Sequence, residues 1–193
     1  MEVKLLTYTP EILISDCAKV CYGTKGNKDI TSNLVHKHKH LAVLRFAFAI
    51  VEVKGISIAC QNQFVRSKHL DFLVQSKRYV DPNKGGFTFI MPEGLEPELQ
   101  DWMTGHFEES LSVYEDLISR GVKKEDARAV LPMNTSTDMN VAGNLQAWYD
   151  FFKLRLNSHA QKEIRKLAVM IYKELQEVYP QVFTDEVFNE LYK

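Results

Sequence analysis

Cysteine is scarce in this chain: Cys17, Cys21 and Cys60 are the three thiols among 193 residues. So sparse and odd a set argues against a disulfide framework and supplies too few ligands for a structural zinc site, so small buried thiols are expected. An excess of one charge is also missing, with 24 Lys and Arg against 25 Asp and Glu. No overall field therefore favours nucleic acid or a membrane surface as a partner. No apolar run approaches a membrane span, and none near Met1 has the length of a signal peptide. Repeats and low-complexity stretches are absent too. The expectation is a cytoplasmic protein with one domain over residues 1–193, long enough to bury a substantial core.

What is present reads as an α+β chain, with two or three strands in a small antiparallel or mixed sheet among long helices. Met1-Glu2-Val3-Lys4-Leu5-Leu6 suits a first strand. Pro10 after Thr9 suits the first turn of a helix capped by Thr9 and running to Tyr22. Gly23-Thr24-Lys25-Gly26-Asn27 reads as a turn. Residues 43–54 are apolar and β-branched, with Phe46, Phe48 and Ile50 on one face, and read as a long strand broken by Gly55. A helix is expected over 56–68, a loop at Asp81-Pro82-Asn83-Lys84-Gly85-Gly86, and a short strand over 87–91 closed by Pro92. Leu99, Trp102, Met103, Leu111, Tyr114, Leu117 and Ile118 follow helical spacing over 98–120, and Gly121 ends that helix. A helix over 123–131, an extended Thr-rich segment over 133–141, helices over 144–156 and 158–179, and a short helix after Thr184 complete the expectation.

Several local patterns carry chemistry. Arg78, Arg128 and Arg155 sit beside apolar or aromatic residues rather than in charge runs. Their guanidinium forks suit bidentate contacts to phosphate or to a base carbonyl edge, and for each one alone an intramolecular ion pair is the alternative. Ser158-His159-Ala160-Gln161 fits a capping box that would put His159 at a helix start, where free N–H groups favour an anion. Sealing the helix start is the other role open to it. His36, His38 and His40 alternate, but i and i+2 do not face each other on a helix and no carboxylate accompanies them, so a solvated basic patch is expected for His36 and His38.

The segment Gln63-Phe64-Val65-Arg66-Ser67-Lys68-His69-Leu70-Asp71-Phe72-Leu73-Val74-Gln75-Ser76-Lys77-Arg78-Tyr79 resembles the signature of the flavin-dependent thymidylate synthases. That signature is written Arg-His-Arg, two variable residues, then Ser-x-Asn-Glu-x-Ser-x-Arg. Two further blocks follow in the family's order. Ala127-Arg128-Ala129-Val130-Leu131-Pro132 is similar to its Ala-Arg-x-x-Leu-Pro segment, and Asn144, Leu154-Arg155 and His159-Ala160-Gln161-x-Glu163-Ile164 are similar to its closing segment. With a weaker match over 40–55, the resemblance covers most of residues 40–165.

The resemblance implies a thymidylate synthase-like fold and methylation of dUMP. Methylenetetrahydrofolate would give the one-carbon unit, with FAD as hydride source and NADPH to replenish it. It implies a homotetramer with sites shared between subunits, so Arg128 would reach a nucleotide held mainly by a neighbouring chain. By position Arg155 would be the catalytic cation. Gln63, Ser76, Lys77, Arg78, Arg128 and Arg155 would bind dUMP, and His40, Arg66, Ser67, Lys68, Asn144, Asp150 and His159 would lie at the FAD.

Departures gather on the flavin side. Arg-His-Arg is Arg66-Ser67-Lys68 here, the signature Ser is Asp71, and Asn-Glu is Leu73-Val74. The family's His-x-x-Pro-x-Glu-His reads His40-Leu41-Ala42-Val43-Leu44-Arg45-Phe46, and a helix position commonly Asn is Asp150. Three readings stay open. One is a divergent enzyme of the family, viral or bacterial, with FAD held by substitutes such as Lys68 and Arg45. Another is a pyrimidine deoxynucleotide enzyme of altered chemistry, such as a hydroxymethylase, and the third a non-catalytic nucleotide-binding homologue. From a different class, an assembly module would use Trp102, Trp148, Tyr149, Phe151 and Phe152 as core or interface.

Overall fold

Strict alternation marks the central strand of the computed structural model, which describes residues 1–23, 26, 28–80 and 87–193. In β2 (Phe48–Ser57) Ala49, Val51 and Val53 are fully buried, while Phe48 and Lys54 face solvent. This is the period of a half-buried strand. β1 (Glu2–Tyr8), β3 (Leu70–Val74) and β4 (Ser136–Asn144) join it in one antiparallel sheet of order β1-β2-β4-β3. Among the described residues the sheet thus has four strands rather than two or three. The addition is β3, whose residues lie inside the signature segment and read there as a motif.

Two amphipathic helices cover the sheet. In α6 (Lys162–Val178) Ile164, Leu167, Ala168, Ile171, Tyr172 and Leu175 are all fully buried. Their i, i+3, i+4 and i+7 spacing makes one apolar stripe, and its burial rather than intrinsic propensity holds the helix. α5 (Leu145–Arg155) buries Trp148, Phe151 and Phe152, and the Asn144 side chain accepts a hydrogen bond from Ala147 N at 2.9 Å to cap it. Phe152 meets Tyr172 and Phe183 edge-on at 5.0 and 5.4 Å, so α5, α6 and the following turn close on one aromatic cluster. Trp148, Phe151 and Phe152 are therefore core, whereas Trp102 is 74% exposed.

A smaller core forms apart from the first. α3 (Pro97–Ser119) contributes Phe107 and Tyr114, which pack with Phe87 and with Ala127 of the short α4 (Lys124–Ala127). The remaining helices are α1 (Ile12–Tyr22), α2 (Ile58–Phe64) and α7 (Asp185–Leu191), the last capped by Thr184. No helix among the described residues is long and apolar enough to cross a membrane.

Several local expectations are corrected. Thr9 does not cap α1: its hydroxyl accepts from Phe48 N at 3.0 Å, pinning the end of β1 to β2, and α1 starts only at Ile12. The strand expected over 43–54 begins instead at Phe48, preceded by a 3-10 turn over Leu41–Phe46. Leu44 and Ala47 are buried there while Phe46 is 62% exposed, so the apolar residues seat against α5 with a helical step. Phe48, expected on one face with Phe46 and Ile50, is exposed on the side of β2 opposite its buried Ala49, Val51 and Val53.

Gly55, at φ +68°, makes a bulge in β2 instead of ending it. The strand continues to Ser57, and that side chain caps α2 by accepting from Cys60 N at 3.0 Å. The strand expected over 87–91 reduces to one bridge, Phe89 to Thr135. The helix expected over 123–131 is α4 followed by a 3-10 turn over Arg128–Val130.

The capping box at 158–161 does not form. Ser158 N donates to the Lys193 carbonyl, His159 N to Asn157 Oδ1, and α6 starts three residues after His159. Cys60 is buried as expected, but Cys17 is half-buried and Cys21 exposed. The turn expected over 23–27 lies partly, and the loop over 81–86 wholly, outside the described residues.

Candidate functional site

The residues singled out by the sequence fall into three groups, each positioned by a different join in the fold. The first lies where the C-terminus of α5 meets the C-terminus of α2. Arg155, the last residue of α5, is half-buried and donates from Nη2 to the Gln63 carbonyl at 2.8 Å. Its Nε is buried and has no hydrogen-bond partner. Burial, and then the nearby Arg66 guanidinium, hold Arg155 below the usual arginine range. Among the described residues no carboxylate pairs with either arginine. The Gln63 side chain donates to Gln161 Oε1 at 3.1 Å, which ties α2 to the start of α6. Burial, with Glu163 adding to it, pushes the adjacent Cys60 thiol well up, so it stays protonated and is no nucleophile.

The second group follows β3. Gln75 N donates to the Asp138 carbonyl at 2.8 Å, which carries the chain past β4 toward α4. Ser76 Oγ accepts from Arg78 N at 3.3 Å, and Arg78 Nη2 meets Glu125 Oε2 at 2.6 Å. Arg128 Nε donates to the Glu125 carbonyl oxygen at 3.1 Å. Ala127, fully buried in the smaller core, anchors this turn and leaves Arg128 exposed beside it. Lys77 turns the other way. It is 8% exposed, donates to Ser136 O at 2.6 Å and to Gln75 Oε1 at 2.7 Å, and lies 5.1 Å from the centre of the Phe87 ring. Burial lowers its affinity for a proton.

The third group lines a cavity of about 640 Å³ at the start of β3 and the end of β4. His40, Asn144 and Asp150 meet there with Lys39, Arg45 and His69. Register explains the join: Leu70 opposes Gly143 on one side of β4, and Ala49 opposes it on the other. A Cβ at Gly143 would lie 2.3 Å from Leu70 Cδ2, so glycine is what lets the start of β3 close in. Among the described residues Lys39 and His69, at φ 54° and 64°, are the non-glycine residues with left-handed backbone, and both line this cavity. Such conformations cost on the order of 1–3 kcal/mol each and collect at functional sites. His40 Nδ1 is hydrogen-bonded to the Tyr22 hydroxyl at 2.8 Å, and Asp150 accepts from Gln146 at 3.2 Å.

No hydrogen bond or ion pair among the described residues links the three groups. Ser67 has a buried hydroxyl without a partner, Lys68 is exposed, and His159 is exposed away from any helix start. His36 is not a free surface histidine, since its Nε2 is hydrogen-bonded to the Gln181 carbonyl at 2.7 Å. Sequence reasoning does not single out Lys39, His69 or Glu125 for the site. Backbone strain marks the first two and long-range pairing the third, and neither leaves a local pattern. Also unforeseen is a cavity of about 680 Å³, largely apolar, that borders Gln161 and holds the exposed Trp102 and Met133.

Comparison with known proteins gives a consistent result. The family model described as thymidylate synthase complementing protein matches residues 4–181. A flavin-dependent thymidylate synthase of Mycobacterium marinum is 31% identical over 91% of this chain and 79% of its own length. Its Mycobacterium avium counterpart is 32% identical over 90% of the chain and 78% of its own length. A third relative of that name, from Sulfurisphaera tokodaii, is 30% identical over 95% of the chain and 76% of its own length.

Proposed function

Because this chain belongs to the thymidylate synthase complementing protein family, we propose that it methylates dUMP to dTMP. Methylenetetrahydrofolate is the one-carbon donor in this reading, and FAD, replenished by NADPH, supplies the hydride. The observation that carries the assignment is Arg155. A half-buried guanidinium with an orphaned Nε, no carboxylate partner among the described residues and a second guanidinium nearby is a site waiting for negative charge.

The chemical demand on the protein is to make a uracil ring carbon nucleophilic. Electron density must accumulate on the adjacent carbonyl system, and a fixed cation in a partly dry pocket favours that. Arg155 is that cation, held at one end by the Gln63 carbonyl. Cys60, protonated and buried, takes no part in attack on the ring. Gln63 adds neutral hydrogen bonds to the base, while Ser76, Arg78 and Arg128 hold the phosphate through charge-assisted bonds. Lys77 supports this side from within by fixing the chain after β3 to Ser136.

The cation-lined cavity suits the cofactor. Its lining holds Lys39 and Arg45 against one carboxylate, Asp150, and His40 and His69 add polar ring nitrogens, which suits an anionic ligand such as a dinucleotide pyrophosphate. His40, Asn144, Arg66 and the substituted Ser67, Lys68 and Asp150 would hold FAD, with His159 contributing from the loop before α6. That no hydrogen bond or ion pair among the described residues joins the three groups fits sites completed between subunits of a homotetramer, and the exposed Trp102 and Leu73 supply apolar surface for assembly. The test is Arg155→Ala: turnover with dUMP should be abolished while the circular dichroism spectrum is unchanged. Turnover at the original rate would remove Arg155 from the mechanism.

A further inference from the structure

We infer that Glu125 is an internal competitor for the nucleotide phosphate, occupying the Arg78 fork until a dianionic phosphate displaces it. The inference rests on the proposed role of Arg78 in phosphate binding and adds a residue that selects among anions.

The geometry is that of a carboxylate standing in for a phosphate. Glu125 Oε2 lies 2.6 Å from Arg78 Nη2, the short separation of a charge-assisted hydrogen bond. The same residue's backbone carbonyl accepts from Arg128 Nε at 3.1 Å, so both arginines converge on Glu125. Ser76 Oγ is bonded to Arg78 N, and the guanidinium lies 5.7 Å from the centre of the Tyr79 ring. These contacts hold Arg78 in place independently of the carboxylate. Glu125 and Arg78 are each partly exposed, so the side chain of Glu125 can rotate into solvent without opening the core. Its backbone cannot follow, because Ala127 is buried two residues later.

An exposed ion pair of this kind is weak. A monoester phosphate brings nearly two charges and three acceptor oxygens against one carboxylate charge, so it wins the exchange. A singly charged anion gains little by displacing Glu125. The carboxylate thereby keeps the fork closed to common monoanions, and it gives way to a nucleoside monophosphate.

The test is calorimetric titration of dUMP into the purified full chain for wild type, Glu125→Gln, Arg78→Ala and the double variant, with inorganic phosphate as a second probe. Glu125→Gln keeps the side-chain length and the carbonyl that receives Arg128, and should tighten dUMP by about two- to five-fold. Inorganic phosphate should tighten in parallel. Arg78→Ala should weaken dUMP, and in that background Glu125→Gln should change nothing. Weaker or unchanged dUMP binding in Glu125→Gln, with Arg78→Ala still weakened, would overturn the competitor role while leaving the phosphate site standing. Unchanged dUMP affinity in Arg78→Ala would instead remove the phosphate reading and this inference with it. Melting curves confirm folding, and Glu125→Ala, which also removes the charge, replaces the Gln variant if that one is destabilised.

Discussion

The turn around Arg78 and the cavity around His40 treat charge in opposite ways. At the first, the chain neutralises its own cations: Arg78 pairs with Glu125, and Arg128 bonds the Glu125 carbonyl. At the second, Lys39, Arg45 and two histidines face a cavity of about 640 Å³ with Asp150 as its carboxylate, supported by two residues of left-handed backbone. The first keeps Ser76, Arg78 and Arg128 of the family pattern, whereas Arg45 and Asp150 at the second depart from it. A site whose ligand contacts are also satisfied internally tolerates little change, because each residue has two partners to keep. An open cavity leaves more room for new side chains, and here one substitution is basic, Arg45, and one acidic, Asp150. Arg155 stands between these cases, bound at one end and orphaned at the other.

Several perturbations would sharpen or break that contrast. The largest effect is expected for Arg155→Ala, where losing a cation aimed at developing charge should lower turnover by at least about 10²–10³-fold. Substrate and cofactor binding should survive in part. Next, Arg78→Ala should raise the dUMP dissociation constant by about ten- to a hundred-fold, the loss of one charge-assisted contact. FAD affinity should hardly move, and an equal loss of both would show that the two regions are not separate. Restoring the family residues with Ser67→His and Lys68→Arg should tighten FAD by roughly tenfold if Lys68 replaces a fork with a point charge. No gain in a fluorescence titration would mean that the cavity around Lys39 and Arg45 has taken over that work.

Gly143→Ala should disturb the flavin side alone, since its Cβ meets Leu70 beside His69. A weaker FAD titration with unchanged dUMP affinity is expected. The smallest effect concerns pH. Burial lowers the Lys77 proton affinity below its usual value of 10.5, so over that alkaline window the unfolded chain binds more protons than the folded one. Its contribution to stability therefore rises with pH up to the ordinary lysine range and is flat above it. Denaturant unfolding of Lys77→Met across that range should show the rise abolished.

Much of the fold was legible in the sequence because the long helices declare themselves. The stripe of α6 and the aromatic spacing of α5 are packed as written, and Asn144 and Thr184 cap as their residue types suggest. The strands were harder. The apolar run over 43–54 suits a strand by composition, yet its start winds into the 3-10 turn Leu41–Phe46 against α5, a tertiary choice no local pattern records. β3 was hidden because its five residues read as part of a chemical motif. For the candidate site, the family resemblance together with residue type singled out Arg155, Arg78 and His40 as candidates. Both were silent on Glu125, which meets Arg78 only through the fold, and on His69, whose role is a backbone conformation. The Ser158 capping box matched a pattern and failed because Asn157 and the chain terminus satisfied those N–H groups instead.

The measurement that bears most directly on the central claim is a titration of the purified chain with FAD, with and without dUMP, followed by flavin absorbance and fluorescence. Saturable FAD binding that dUMP strengthens is the predicted result, because catalysis requires both to occupy one site. Clear dUMP binding with no FAD binding in either condition would contradict the account, leaving a nucleotide-binding protein without the flavin chemistry.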